Sequence, residues 1–186
     1  MIYFESERLI FRDWLPVDLP EFQRMNADPV VMEFFQGILT YKETDVFYEK
    51  IKAEIQSEGY GLFAVELKET REFLGFIGFH KANLNLGFDP FIEIGWRLKK
   101  EAWGNGYATE GAGRCLAYGF EQLGFEDVYS FTSIVNTRSE SVMKKIGMKR
   151  KMVFDHPRIE KNDQLCRHVL YHISNVKTSK GKEGLL

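Results

Sequence analysis

Seven short stretches of the chain have the alternating, or β-branched and aromatic, pattern that is typical of β-strands. In other stretches the apolar residues recur every three or four positions, which is the spacing of amphipathic helices. The predicted strands cover residues 8–12, 61–67, 73–79, 91–98, 128–136, 149–154 and 166–173. The predicted helices cover residues 17–26, 28–35, 41–58, a segment that begins near residue 108, and residues 139–146.

The clearest of these helices is residues 41–58. Thr40 and Glu43 have the spacing of a capping box, in which each side chain binds a backbone amide at the start of the helix. Phe47, Ile51 and Ile55 repeat along one face, and Gly59 follows where a C-terminal cap belongs. Both ends of this helix are therefore predicted from local signals.

The strand at residues 91–98 has two chemically different faces, because successive side chains of a strand point to opposite sides of the sheet. The apolar face carries Ile92, Ile94, Trp96 and Leu98, and the other face carries Glu93, Gly95 and Arg97. The pattern thus places a carboxylate on one face of the predicted sheet.

The order of elements predicts the fold class. An antiparallel meander is followed by strand, helix, strand, helix and strand, which indicates a mixed, mostly antiparallel central sheet with helices on both faces. A length of 186 residues suits one domain, which we place at residues 1–176. Residues 177–186 are polar and contain glycine, and we expect a flexible tail there.

Composition and charge exclude several classes of protein. The formal net charge is −2 and the basic residues are scattered, so no nucleic-acid partner is expected. No apolar run is long enough to span a membrane, and the N-terminus lacks the basic start of a signal peptide, so we predict a cytoplasmic protein. Cys115 and Cys166 are expected to be reduced and buried. Cys166 and His168 are too close together to form a zinc site, and no metal is expected.

The stretch at residues 103–110 carries the most specific chemistry. Gly104 and Gly106 let the backbone approach a bulky anion, and the first amides of the following helix have no partner inside it, so the segment is suited to bind a pyrophosphate. A simple chain-reversing turn is the alternative. A Walker loop would need Gly-Lys-Ser/Thr where Tyr107 and Ala108 follow Gly106, and a dinucleotide fingerprint would need a third glycine at Thr109.

Two sequence motifs resemble a known family. Residues 93–98 (EIGWRL) with residues 103–110 (WGNGYATE) resemble the coenzyme A signature of the GNAT superfamily, in its RimJ/RimL-like branch, where R/Q-x-x-G-x-G/A cradles the pyrophosphate. The first position of that motif is Glu101 here, a departure that weakens the match. Residues 136–148 resemble the N-x-x-S-x-x-V-x-x-K-x-G-F segment of the family, with Met148 in place of Phe. The likeness covers nearly the whole chain, up to about residue 173.

The resemblance implies an N-acetyltransferase with acetyl-coenzyme A as cosubstrate and direct transfer to a primary amine. The cofactor-binding residues that it implies are Ile94, Trp96, Leu98, Trp103, Gly104, Asn105, Gly106, Tyr107, Ala108 and Asn136. An amine with a pKa of about 10 must lose a proton before it attacks, and a carboxylate can accept that proton. Glu93 is the candidate base, although a solvated or salt-bridged strand glutamate would look the same.

The group that protonates the departing thiolate is less clear from the sequence. Many relatives use a tyrosine on the helix that follows the Asn136 strand, but no tyrosine lies between Ser130 and Tyr171. Ser139 is the candidate donor, with a water or a plain helix-capping role as alternatives. A non-catalytic coenzyme A sensor is therefore the second hypothesis for function.

The amine acceptor is expected to be a protein N-terminus or a small molecule. Its pocket is predicted to come from Phe34, Phe35 and the loops at residues 81–90 and 155–163, since loops vary without disturbing the core. His80 could be a second base, and His156, His168 and His172 could shape the pocket or be structural. We expect a monomer or a homodimer.

Overall fold

A computed structural model describes residues 1–175 of the chain. The strands are β1 (Ile2–Glu5), β2 (Leu9–Arg12), β3 (Leu62–Leu67), β4 (Phe73–Ala82), β5 (Phe91–Leu98), β6 (Asp127–Ser133), β7 (Lys149–Asp155) and β8 (Arg167–Ser174). The helices are α1 (Leu19–Ala27), α2 (Tyr41–Glu58), α3 (Tyr107–Glu121) and α4 (Thr137–Lys145), with single 3₁₀ turns at Pro16–Asp18 and Lys100–Ala102. The predicted tail at residues 177–186 lies outside the described residues.

All eight strands form one sheet in the order β1-β2-β3-β4-β5-β6-β8-β7. Every neighbouring pair is antiparallel except β5 and β6. The parallel pair is in register at Glu93 and Tyr129, whereas β4 pairs with β5 along its whole length. The two halves of the sheet therefore diverge beyond Glu93, and the predicted mixed, mostly antiparallel sheet is confirmed.

Helices cover both faces of the sheet. A Cβ added at Gly111 of α3 would meet Ile77 of β4 at 2.4 Å, so α3 packs on the face to which Ile77 points. The next strand residue, Phe76, makes edge contacts with Phe22 of α1 and Phe47 of α2. Because adjacent strand residues point to opposite faces, α1 and α2 lie on the face opposite α3.

The prediction for α2 agrees with the structure at both ends. Thr40 accepts a hydrogen bond from the amide of Glu43, the Glu43 carboxylate accepts one from the amide of Thr40, and Gly59 ends the helix in the left-handed conformation (φ 75°). Both caps are local in sequence, which is why the sequence alone located them.

The prediction of a helix at residues 28–35 was wrong. This segment forms turns, with the Met32 amide bonded to the Asp28 carbonyl and the Phe35 amide to the Met32 carbonyl. The Asp28 carboxylate accepts a hydrogen bond from the amide of Val30, which offers the backbone an alternative to a helix. Its apolar residues do not form one helical face: some are buried in the core and others line a surface cleft.

One strand and two element boundaries also differ from the sequence prediction. The strand β1 was not predicted; it lies at the edge of the sheet and buries Phe4 alone, so it has little alternation to detect. The strand predicted to reach residue 136 ends at Ser133, and the helix predicted from residue 139 begins at Thr137. The cap of α4 is Asn136, whose side chain accepts a hydrogen bond from the amide of Ser139.

The two thiols are free and buried, as predicted. Burial raises the pKa of the Cys115 thiol well above its usual value, which keeps it protonated. Within residues 1–175, no helix has the length and apolar character needed to cross a bilayer.

Candidate active site

A cleft of about 1220 Å³ opens where β5 and β6 diverge. Its walls come from the connection between α1 and α2, the inner face of α2, β4, β5, β6 and the first turns of α3 and α4. Among the predicted site residues, those that line it are Glu93, Trp96, Leu98, Trp103, Gly104, Gly106, Tyr107, Ala108, Asn136 and Ser139. Residues that are distant in sequence are thus brought into one cavity.

The glycine turn before α3 presents unpartnered backbone amides to this cleft. Gly104 (φ 78°) and Gly106 (φ 80°) both adopt the left-handed conformation, which residues with a Cβ rarely accept. Within residues 1–175, the amides from Gly104 to Thr109 have no hydrogen-bond acceptor; the next amide, of Glu110, bonds to the Gly106 carbonyl. A Cβ at Gly104 would meet nothing within 4 Å, so the space in front of the turn is open. The turn therefore has the donors and the room for a pyrophosphate.

Side chains hold the turn in this conformation. The indole Nε1 of Trp103 donates to the carbonyl of Leu98 at 2.9 Å, which ties the turn to the end of β5. Asn105 folds back and donates from Nδ2 to the Trp103 carbonyl at 3.1 Å. Glu101, which occupies the basic position of the family motif, does not line the cleft.

Arg8 is beside the same turn and was not assigned a function from the sequence. Its Nε lies 2.6 Å from Oε2 of Glu110, and its guanidinium stacks over Tyr107 at 4.6 Å from the ring centre. One terminal nitrogen lies 3.6 Å from where a Cβ of Gly106 would be. The residue adds positive charge beside the amides, and only the tertiary structure shows this.

The edge of β5 that faces β6 is open beyond Glu93. No strand of the described chain pairs with this edge from Gly95 to Leu98, because β6 has already turned away. An unpaired strand edge can accept an extended ligand as an additional strand.

Glu93 is buried in the cleft beside a histidine. It is 7% exposed, and His80 lies directly across from it on β4, with Nε2 of His80 3.0 Å from Oε2 of Glu93. The ring is not aligned for a linear hydrogen bond to that oxygen, and within residues 1–175 the Nδ1 of His80 has no partner. Burial opposes the charging of His80, but the carboxylates of Glu93 and then Glu54 outweigh it and raise the pKa of His80.

Comparison with known proteins identifies the family. The model of the acetyltransferase (GNAT) domain family matches residues 8–149 of the chain. The chain belongs to the GNAT acetyltransferase family. A curated relative, the uncharacterised N-acetyltransferase YnaD of Bacillus subtilis, is 29% identical over 154 residues, which is 82% of this chain and 86% of YnaD.

Solved GNAT structures share the fold over nearly the full chain. A GNAT-family acetyltransferase from Bacillus anthracis superimposes with a TM-score of 0.78 at 28% identity, covering 94% of this chain and 98% of the other. RimL, the ribosomal L7/L12 α-N-protein acetyltransferase solved with coenzyme A, has a TM-score of 0.77 at 13% identity and covers 94% of this chain and 98% of its own. The predicted acetyltransferase is thereby confirmed at the level of the enzyme class.

Two polar residues of α4 lie at the opposite wall of this GNAT cleft. Asn136 donates from Nδ2 to Thr132 Oγ1 at 2.9 Å and to Ser139 Oγ at 3.1 Å, so much of its amide is engaged in capping α4. Ser139 Oγ accepts that bond, and its own proton has no acceptor within residues 1–175. The Ser139 hydroxyl is therefore oriented and able to donate into the cleft.

The far end of the GNAT cleft is lined by aromatic and imidazole rings. Phe34 and Phe35 line it as predicted, together with His156 and His168 from the β7–β8 segment. Burial, with the neighbouring His168 and Arg158, lowers the pKa of His156 to about 4, so the His156 ring is uncharged at neutral pH. The predicted contribution of residues 81–90 was wrong, since none of them lines the cleft.

Two predicted cofactor-binding residues lie outside the GNAT cleft. The side chain of Ile94 is fully buried in the core, and that of Asn105 folds onto its own turn, so either could reach a ligand only through its main chain. The sequence analysis also missed Glu54, Lys50 and Arg138, which line the cleft from α2 and α4. Their spacing is that of ordinary helix-surface residues, and no sequence signal distinguishes them.

Proposed function

We propose that this chain transfers the acetyl group of acetyl-coenzyme A directly to a primary amine within one ternary complex. The observation that carries the proposal is the row of unpartnered amides from Gly104 to Thr109, which opens into the same cleft as the buried Glu93. The open edge of β5 thereby connects the amides that would bind the diphosphate with the carboxylate of the proposed base. The thioester of the cosubstrate supplies an activated acetyl group to that edge.

Binding of the cosubstrate would use the main chain more than charged side chains. The helix dipole of α3 adds partial positive charge to the free amides, and Arg8 and Arg138 stand nearby. Trp96, Leu98 and Asn136 would contact the pantetheine arm along the edge of β5. The coenzyme A in the RimL structure supports this choice of cosubstrate for a shared fold.

Glu93 would accept the proton of the attacking amine. Its carboxylate is buried beside His80, and a raised pKa of His80 favours an imidazolium that stabilises the charged carboxylate. Ser139, whose hydroxyl proton is free, would supply a proton to the departing sulfur.

The acceptor is an amine of a protein N-terminus or of a small molecule. RimL is an α-N-protein acetyltransferase of the ribosomal protein L7/L12, and its likeness to this chain favours the RimJ/RimL-like branch only at the level of fold. A cytoplasmic monomer or homodimer remains our expectation. The coenzyme A sensor is less well supported, because the cleft retains a buried carboxylate with a histidine partner.

Thiol release tests the proposal. The purified protein is incubated with acetyl-coenzyme A and a panel of amino acids, polyamines and N-terminal peptides, and free coenzyme A is followed with a thiol reagent. We expect release that depends on an amine, and no acetylated protein by mass spectrometry when the amine is omitted. Tight binding of the cosubstrate without thiol release on any amine would indicate the sensor, and an acetylated protein would exclude direct transfer.

A further inference from the structure

Arg97 is a partly buried arginine whose charge has no counterion among residues 1–175. It lies on β5, two residues beyond Gly95 on the face that carries Glu93, and it lines the cleft. Its Nη1 donates to Oδ1 of Asn26 at 2.7 Å, and its Nε is buried without a partner. No carboxylate of residues 1–175 lies within ion-pair distance of its guanidinium.

A second arginine on this face of the sheet, Arg12, is buried and has carboxylate partners. Arg12 forms two hydrogen bonds to Asp18 at 2.7 and 2.9 Å and one to Glu66 at 2.6 Å. A buried arginine ordinarily needs such partners, since removing a charge from water is costly. The same fold thus neutralises one arginine completely and leaves the other without an anion.

Aromatic rings stack on the Arg97 guanidinium, and its Nη2, which has no hydrogen-bond partner within residues 1–175, is left for a ligand. The guanidinium carbon lies 4.1 Å from the ring centre of Phe35, 5.4 Å from that of Phe76 and 5.9 Å from that of Phe47. Burial lowers the pKa of Arg97 to about 10, so the group is still charged at neutral pH. Stacked guanidinium groups bind carboxylates through their N–H edge.

We propose that Arg97 binds the carboxylate of the acceptor, and that the acceptor is a small amine of the amino-acid type. This inference rests on the proposed acetyl transfer. Glu93 and Arg97 are four residues apart on one strand face, about 13 Å between Cα atoms at the usual strand rise. Glu93 and Glu54 can attract an amine and Arg97 a carboxylate, so one cleft holds opposite charges for the two ends of a zwitterion.

The phosphates of the cosubstrate are the other source of an anion near Arg97. The amides from Gly104 to Thr109, with Arg8 and Arg138, already provide donors and positive charge at the glycine turn. Arg97 instead faces Asn26 and the ring of Phe35, which belong to α1 and the α1–α2 connection. This position favours the acceptor.

Equilibrium binding tests the inference without turnover. The complex of the protein with coenzyme A is titrated in a calorimeter with each common amino acid and with its carboxamide. We expect at least one amino acid to bind at least about tenfold more tightly than its carboxamide, because the guanidinium pairs only with the carboxylate. Equal binding of the two members of every pair, or no binding of either, would overturn the inference.

Two variants test whether Arg97 is the residue that recognises the carboxylate. Arg97→Met should abolish the preference for the carboxylate and leave the Kd of coenzyme A unchanged; it should lower the melting temperature only slightly, because the buried Oδ1 of Asn26 loses its hydrogen bond from Arg97. Lys50→Met removes another cation that lines the cleft, and it should keep the preference. A preference retained in Arg97→Met, or a weakened Kd for coenzyme A, would assign Arg97 to the core or to the phosphates.

The binding titration and the thiol assay test two different claims, and one can fail without the other. Acetylation of amines without preference for a carboxylate would refute the role of Arg97 and leave the acetyl transfer in place. A carboxylate preference in binding with no thiol release would support Arg97 and refute the transfer.

Discussion

At the scale of single residues, one face of β5 carries two groups of opposite charge, a buried Glu93 and a partly buried Arg97. Glu93 is placed against His80, whereas Arg97 is placed against aromatic rings and an amide. Each of these arrangements leaves a polar atom of the cleft without a protein partner: Nδ1 of His80 and Nε of Arg97. Buried groups of this kind are costly to a fold and are concentrated at functional sites.

Glu93→Gln tests the proposed base. The amide cannot accept the proton of the amine, so we expect turnover at neutral pH to fall by about 10²-fold or more. Part of the loss should be recovered at high pH, where free amine is abundant. The measurement is kcat as a function of pH.

Glu43→Gln is the control for the base. Glu43 lines the same cleft but serves the capping box of α2, in which glutamine is also accepted. Its pH profile should match that of the wild type. A flat response of Glu93→Gln, or an equal loss in both variants, would remove Glu93 as the base.

The pH dependence of stability tests the His80–Glu93 pair. The pKa of His80 is raised in the folded state, so the stabilisation is complete below its unfolded value of about 6.5 and is lost as pH rises through the folded value. We therefore expect the melting temperature of the wild type, relative to His80→Gln, to decline from about pH 6.5 upward. A difference that stays constant with pH would show that the two side chains do not interact through charge.

At the scale of elements, the first turn of α3 is both a structural junction and a candidate anion site. Glu110 anchors the N-terminal segment by accepting hydrogen bonds from Ser6 and Arg8 at 2.7 and 2.8 Å. The amides before it remain free because two left-handed glycines turn the chain away from any acceptor. Local conformation thus creates the free donors, and the sheet determines where they point.

Gly106→Val tests the glycine turn. A branched side chain would cover the amides and strain a residue with φ of 80°, so we expect the Kd of acetyl-coenzyme A to rise at least about tenfold. Gly124→Val is the matched control, because Gly124 has φ of 68°, has open space around a Cβ and does not line the cleft. It should lose comparable stability without a change in Kd. Calorimetry decides between them, and equal Kd values for the two variants would place the cosubstrate elsewhere.

At the scale of the whole molecule, a buried ion network joins the first half of the sheet to the helical layer. Arg12 of β2 bonds to Glu66 of β3 and to Asp18 at the start of α1, and all three are at most 7% exposed. The network fixes the direction of the chain between the end of β2 and the start of α1. It thereby positions the α1–α2 connection, which forms one wall of the cleft.

Arg12→Met is expected to destabilise the fold by about 3–5 kcal/mol, because Asp18 would stay buried without its cation and Glu66 would keep only Arg71. Urea unfolding followed by circular dichroism measures the difference. Arg97→Met is the contrasting variant: no carboxylate is left unpaired there, and a smaller loss is expected from the hydrogen bond to the buried Asn26. A similar loss of unfolding free energy in both variants would mean that Arg97 also stabilises the core.

Elements with local signals were predictable, and those defined by distant contacts were not. The capping box and Gly59 located α2 to the residue, and the alternation of residues 91–98 separated the core face of β5 from its polar face. The prediction of a helix at residues 28–35 was wrong because the Asp28 carboxylate accepts a hydrogen bond from the nearby amide of Val30. Asn136 rather than Ser139 caps α4, because β6 ends its pairing with β8 at Ser133.

The sequence by itself determined the type of sheet, the glycine turn before α3 and the carboxylate on β5, because each depends on neighbouring residues or on a period of two or 3.6. Only the tertiary structure brought Glu93 against His80, Arg8 beside Gly106 and Arg97 under Phe35. These contacts join residues that are far apart in sequence, and they arise where β5 and β6 diverge. No local pattern encodes that geometry, since it results from how the whole sheet packs against its helices.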